Sequence, residues 1–126
     1  MSKEARKFDL EERLIQFGVR IIRLAGELPK TKVGNHVAGQ IIRSGTSPAP
    51  NYGEAQSAES RADFVHKMRV CLKELRETRV WLLMTSKANL VKSPSRIDPL
   101  IDESNQLISI FVTSVKTARQ KSRETS

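Results

Sequence analysis

Between Ser60 and Lys87 the chain places Phe64, Met68, Cys71, Leu75, Thr78 and Leu82 at steps of three and four residues. That spacing lines one face of an α-helix, whereas a half-buried strand would alternate with period two. No window of the 126 residues alternates in that way. The chain must therefore be all-α, built from helices that bury apolar stripes against one another. Ser60 and Asp63 form an S-x-x-D capping box, which starts this helix, and the stripe carries it to about Lys87.

Three further segments carry the same period. A first helix is expected from about Asp9 to Leu28, with Asp9 as cap and Glu12 in the capping-box position. Leu10, Leu14, Phe17, Ile21, Leu24 and Leu28 share its inner face, and Pro29 ends it. A second helix starts near Thr31 or Lys32 and turns Val33, Val37 and Ile41 inward, with Gly34, Ala38 and Gly39 small enough for a close neighbour. The last opens at Ser95 or Asp98-Pro99 and buries Ile101, Ser104, Ile108, Phe111, Val112 and Val115 up to roughly Arg119. Mostly short connections imply an antiparallel up-down-up-down four-helix bundle. It is bounded as an N-terminal extension over 1–8, the bundle over 9–119 and a flexible basic tail over 120–126.

The stretch RSGTSPAPNYGEA, residues 43–55, interrupts the second helix. A proline in a helix interior costs about 3 kcal/mol, and two would be hard to sustain. Both are accommodated if Ser47 caps a new turn, with Pro48 at the first helical position and Pro50 at the third, where N–H groups lack helical partners anyway. The second helix is thus expected to kink near Ser47–Pro50 and run on to about Ser57. Beyond the kink, Ser44, Ser47, Asn51 and Glu54 continue the face of Val37 and Ile41, so an apolar stripe becomes polar. Local capping with satisfied hydrogen bonds is the plainer account. A polar cluster meeting a ligand or a second subunit is the sharper one, with Asn51 or Glu54 reaching His66.

Catalytic signatures are missing. There is no G-x-S-x-G, no phosphate-binding glycine loop and no dinucleotide fingerprint. His36, His66 and the single Cys71 match no metal spacing, so no metal or cofactor is expected, and Cys71 reads as core filler. No catalytic residue is assigned and the chain reads as non-enzymatic. One cysteine, no leader-like apolar run at the start and no stretch of ~20 apolar residues suggest a soluble, cytoplasmic protein without membrane contact.

Two surfaces call for partners. With 22 basic against 14 acidic residues the net charge is +8, which favours polyanions. On the third helix His66, Arg69, Lys73 and Arg76 fall opposite the core stripe with no acid between them. Like charges three and four residues apart do not help a helix. A phosphate backbone would suit them, together with Lys116, Arg119 and Lys121; the plainer reading is a solvated face. No aromatic rings interleave the charges, so stacking on single-stranded bases is not indicated. Val80, Trp81 and Met84 also turn away from the core stripe, as do Ile110 and, on the first helix, Ile15, Val19 and Ile22. A chain of this size rarely leaves so much apolar surface in water, which points to self-association.

Three motifs carry a family resemblance: Q-x-x-R-S-G-T-S-x-x-x-N-Y-x-E-A from Gln40, S-R-A-D-F from Ser60, and K-E-x-x-E-T-x-x-W-L from Lys73. In these the chain resembles the four-helix bundle proteins of the 23S rRNA intervening-sequence family, over about residues 8–118. The resemblance implies a homo-oligomeric, pentameric barrel of bundles. A group similar in fold, the accessory proteins of diversity-generating retroelements, implies basic pentamers that bind RNA and a reverse transcriptase. No catalytic residues come with the family. Pro48 and Pro50 stand where its members usually have an aliphatic residue or glycine, so the kink is expected to be sharper here. The reading is a non-enzymatic, RNA-binding accessory protein; the alternative is an interaction module that docks a partner protein through its apolar faces.

Overall fold

The computed structural model describes residues 3–125, with side-chain surroundings for 9–93 and 95–121. Helix α1 spans Lys3–Glu27, α2 Lys32–Gly45, α3 Pro48–Gln56, α4 Arg61–Lys87 and α5 Asp98–Thr125, with a short 3-10 turn at Pro94–Arg96 before the last. No strand occurs among the described residues. The fold is all-α, and α2 and α3 together make one broken rod among four.

Local chemistry explains most boundaries. Thr31 Oγ1 accepts the Gly34 N–H at 3.1 Å and Ser60 Oγ accepts the Asp63 N–H at 3.0 Å, which caps α2 and α4. Asn89, at φ 55°, ends α4. Its N–H donates to Ser86 O, and the Leu90 N–H to Thr85 O, the paired bonds of a Schellman cap. Two expected boundaries differ. The first helix begins at Lys3, so Asp9 is interior to it, and Glu12 accepts from Gln16 one turn on. The last helix continues to Thr125 through the residues expected to form a loose tail.

Contacts between helices pair rising with falling residue numbers. Gly18 lies beside Gly45 and Thr46. Ser44 meets Thr78, while Arg43 reaches Glu74. Pro48 meets Cys71 and Glu54 meets Lys67. Arg79 reaches Asn105, and Arg13 reaches Glu103. So α4 runs antiparallel to α2–α3 and, since His66 lies by Arg119 while Arg79 lies by Asn105, to α5; contacts close the circuit α1, α2–α3, α4, α5.

The core is the set of inner stripes. Leu14, Phe17, Ile21, Ile41, Leu75 and Phe111 are among its fully buried members. On α5 the buried phase is Leu100, Ser104, Leu107, Phe111 and Val115, with Ile101 and Ile108 half-buried and Val112 exposed at 38 %. That is a rotation from the expected stripe, because Leu100 and Leu107 take the inward positions. Helix contact also corrects the role of the small residues. An added Cβ on Gly39 would meet nothing, so it faces solvent. Gly34 is needed because a Cβ would lie 1.9 Å from Pro29 O. The close helix approach is made by Gly45, discussed below.

The break between α2 and α3 follows the expected proline placement but not the expected cap. Pro48 opens α3 and Pro50 is third, so neither removes an internal hydrogen bond. Ser47 is itself helical, at φ −75° and ψ −37°, and its hydroxyl caps nothing. Asn51 Nδ2 donates instead to both Ser47 O and Ser47 Oγ at 2.9 Å. The Thr46 N–H and hydroxyl both turn back to Ile42 O, at 3.1 and 2.6 Å, closing α2.

Candidate nucleic-acid interface

The basic residues of the long fourth helix do not stand alone. The antiparallel packing of α4 on α5 makes a seam, and His66, Arg69, Lys73 and Arg76 line one wall of it with Arg119 facing them. Farther along, Arg76, Lys116 and Arg119 converge around Val112 and Val115. The groove has a volume of about 750 Å³ at its first section, and its floor is aliphatic, with Val70 and Leu72 from α4 and Val115 from α5. Among the described residues no aspartate or glutamate lines either section. Among the described residues none of these basic side chains makes an ion pair.

Five of the acids are engaged elsewhere. Glu74 and Glu77 both pair with Arg43 on the opposite side of α4, toward α2. Glu103 accepts Arg13 at 2.6 Å, the main reason that guanidinium holds its proton more tightly than usual. Glu54 takes Lys67 and Glu27 takes Arg96. These five paired carboxylates lie at other seams, whereas the cations that line the α4–α5 groove have no carboxylate partner among the described residues.

Of the expected site residues, His66, Arg69, Lys73, Arg76, Lys116 and Arg119 come together in this groove. Lys121 does not; it lines a separate hollow with Ser60, Arg61 and Phe64. The expected contact of Asn51 or Glu54 with His66 is not made. Glu54 bonds Lys67, one residue along and a third of a turn nearer, and Asn51 is used by Ser47. Cys71 is buried and donates toward Pro48 O at 3.5 Å, and burial pushes its thiol up to about 12. Of the expected interface residues, Ile15, Ile22, Val80 and Met84 are exposed, while Val19 and Trp81 are half-buried. Val33, expected to face inward with Val37 and Ile41, is instead exposed at 61 %, and Ile42 is exposed as well.

The model for the 23S rRNA-intervening sequence proteins matches residues 6–113. The chain belongs to that family. A crystal structure of a protein of unknown function from the S23 ribosomal protein family of Bacteroides thetaiotaomicron is similar, at 30 % identity and a TM-score of 0.79, covering 85 % of this chain and 98 % of that one. Curated proteins give no match.

The geometry gives the family's sequence motifs a physical meaning. Arg43 bridges Glu74 and Glu77, and Glu77 Oε2 also accepts the Trp81 indole N–H at 3.1 Å. The buried Ser44 and Thr78 hydroxyls lie 2.9 Å apart, and Thr78 Oγ1 is 2.7 Å from Glu74 O. The R-S-G and K-E-x-x-E-T-x-x-W segments are therefore two halves of one polar clasp between α2 and α4. Arg43, Glu74 and Glu77 carry no signature of a site in the sequence beyond the three-residue step that puts Glu74 and Glu77 on one side of a helix.

Proposed function

We propose that this protein is a non-enzymatic, cytoplasmic binder of structured RNA, acting through the α4–α5 groove. The observation that carries this reading is the convergence of Arg69, Lys73, Arg76, Lys116 and Arg119 on one aliphatic seam with no carboxylate among the described residues. Unpaired like charges held side by side repel one another, and a phosphate backbone relieves that repulsion while releasing counterions. The family's description as 23S rRNA-intervening sequence proteins agrees with an RNA ligand. Among the described residues no His, Cys, Asp and Glu cluster could hold a metal ion, and no helix is long and apolar enough to cross a membrane. The test is a fluorescence-anisotropy titration against an RNA hairpin across a salt series. If the five cations are all used, log K should fall against log salt with a slope approaching about −4 to −5. No binding at low salt would overturn the reading.

A second reading concerns assembly. Ile15 and Ile22 on α1, Val33 and Ile42 on α2, and Val80 and Met84 on α4 are exposed, and the nine steps from Val33 to Ile42 put these two half a turn apart on their helix. Patches that do not coincide suit head-to-tail contacts, which close into rings. We propose that copies of the chain, five in the expected barrel, associate through them; the alternative is docking of another protein, such as a reverse transcriptase. Met84→Lys with Val80→Lys should reduce the mass measured by light scattering to that of one chain. A multimeric mass unchanged by the substitutions would refute the α4 patch as the interface, and a single-chain mass before substitution would refute self-association.

A further inference from the structure

We propose that the α4–α5 groove grips the phosphate backbone of a double helix and reads neither its bases nor its sugars. The inference rests on the reading that the groove binds nucleic acid. It goes further because it assigns what the groove can and cannot distinguish.

Three features lead there. The first is the cation spacing. Arg69, Lys73 and Arg76 lie on one strip of α4, and the seven steps from first to last rise about 10 Å. One strand of a duplex presents a phosphate about every 3.4 Å of axis, so that strip matches roughly three phosphates of a rigid strand. Arg119 and Lys116 lie across the seam on the antiparallel helix. Both rows are held on long helices with buried stripes, so the array is preformed and suits a stiff ligand.

The second is the chemistry of the lining. Phe17, Tyr52 and Phe111 are buried in the core, and Trp81 turns to His36 at the α2 seam, with ring centroids 6.0 Å apart. Among the described residues the imidazole of His66 is the only ring in the groove. Stacked single-stranded bases would need a platform that is not built. Apart from the cations and His66, the only described side chain in the groove able to hydrogen-bond a ribose hydroxyl is Gln120, at one end. Distinguishing RNA from DNA requires such contacts along the strand.

The third is width. Arginine can read guanine only when its helix enters the major groove, which is about 12 Å wide in B-form DNA. Here α4 is flanked by α5; two helices, each about 10–12 Å across with axes about 8–10 Å apart, present a face near 20 Å wide. Such a face rests on the phosphate rims and cannot descend between them. The deep, narrow major groove of an A-form helix is less accessible still.

The experiment uses the full-length protein and anisotropy at one salt concentration. The probes are two 20-base-pair RNA duplexes of unrelated sequence, the DNA duplex of one of them, and a 20-nucleotide oligouridine. The three duplexes should bind within about threefold of one another, and the single strand about tenfold more weakly. Arg69→Lys with Arg76→Lys should bind the duplexes within about threefold of the parent, because a point charge serves a phosphate, whereas bidentate base recognition would be lost. Arg69→Gln, Lys73→Gln and Arg76→Gln together should weaken all duplexes alike, with the helical circular dichroism unchanged. A preference of tenfold or more between duplex sequences, or between RNA and DNA, overturns this inference and leaves RNA binding intact. Tighter binding of oligouridine does the same. Failure of every probe to bind overturns the proposed function itself.

Discussion

Gly45 is the position where the packing of this bundle can be tested most sharply. A Cβ placed there would lie 2.7 Å from Ile21 Cγ2 and 2.8 Å from Ile21 Cγ1. Non-bonded carbons rest at about 3.5–4.0 Å, so Gly45→Ala demands a displacement near 1 Å. Ile21 is completely buried, and α1 approaches so closely here that a Cβ on Gly18 would already touch Gly45 O at 3.7 Å. Three effects compete. Helix propensity favours alanine by up to about 1 kcal/mol, less at the last residue of a helix. Burying one methyl adds about 0.8 kcal/mol. Overpacking costs about 1–3 kcal/mol, and here both the side chain and the helix behind it resist movement. The net expectation is a loss of about 1 kcal/mol. Gly39→Ala is the control, because its Cβ would meet nothing within 4 Å, and it should gain about 0.5–1 kcal/mol. Urea unfolding followed by circular dichroism, at one protein concentration, should separate the two variants by roughly 2 kcal/mol. Ile21→Ala alone should cost about 2–5 kcal/mol, and less in combination with Gly45→Ala, whose added methyl fills part of the cavity. If Gly45→Ala is as stable as Gly39→Ala, the close approach of α1 to α2 at this point is not as described.

Two shorter predictions follow from caps and burial. Ser60→Ala should cost about 1 kcal/mol in urea unfolding, because Ser60 caps α4, whereas Ser47→Ala should cost clearly less because its hydroxyl caps nothing; equal costs would contradict the two geometries. Cys71 should resist thiol reagents at pH 8 in the native state by about three orders of magnitude relative to the urea-unfolded chain, since burial raises its thiol from 9.0 to about 12. The same shift adds stability that is fully present below pH 9 and lost as the pH rises toward 12, so the stability difference from Cys71→Ala should narrow over that range in urea melts.

What could be read from the chain divides along physical lines. The stripes on α1 and α4 were legible because a three-four period has one interpretation, and because two facing apolar rows need no further information to meet. The placement of Pro48 and Pro50 was legible for a similar reason: only the first turn of a helix tolerates both. The phase of α5 was not, since Ile101 and Ile108 compete with Leu100 and Leu107 on adjacent strips, and only the partner helices decide between them. Ser47 misled because a serine before a proline resembles a cap, while the competing bond from Asn51 depends on a side-chain rotamer. The clasp of Arg43 with Glu74 and Glu77 joins residues 31 and 34 positions apart, a register no local pattern contains. The groove was half visible. Its α4 wall is a sequence pattern, but that Lys116 and Arg119 face it, and Lys121 does not, follows from the rotation of α5.

That rotation also allows the location of binding to be separated from net charge. Val112 is exposed at 38 % in the groove beside Arg76 and Lys116, and Val33 is exposed at 61 % on α2. Because His36 packs on Trp81, Val33 sits near the level of Met84, about 15 Å along the bundle axis from Lys73 and on another seam. Val112→Glu and Val33→Glu each lower the net charge by the same single unit, and both sites are open enough to hold a carboxylate. If the whole-molecule charge of +8 governs RNA binding, the two variants should weaken it equally. If the groove governs it, they should differ. A carboxylate in the groove would lie about 6 Å from two cations and from any phosphate between them, which at an effective dielectric of 20–80 is worth roughly 0.7–3 kcal/mol, centred on a tenfold loss. At Val33 the same charge is about two Debye lengths away at physiological salt, where the length is about 8 Å, and the loss should stay within about twofold. Anisotropy titrations of both variants against one RNA duplex at about 0.15 M salt would decide it. Equal losses would mean that the cations of α4 and α5 act only through their sum, and that the absence of carboxylates from the seam has no part in recognition.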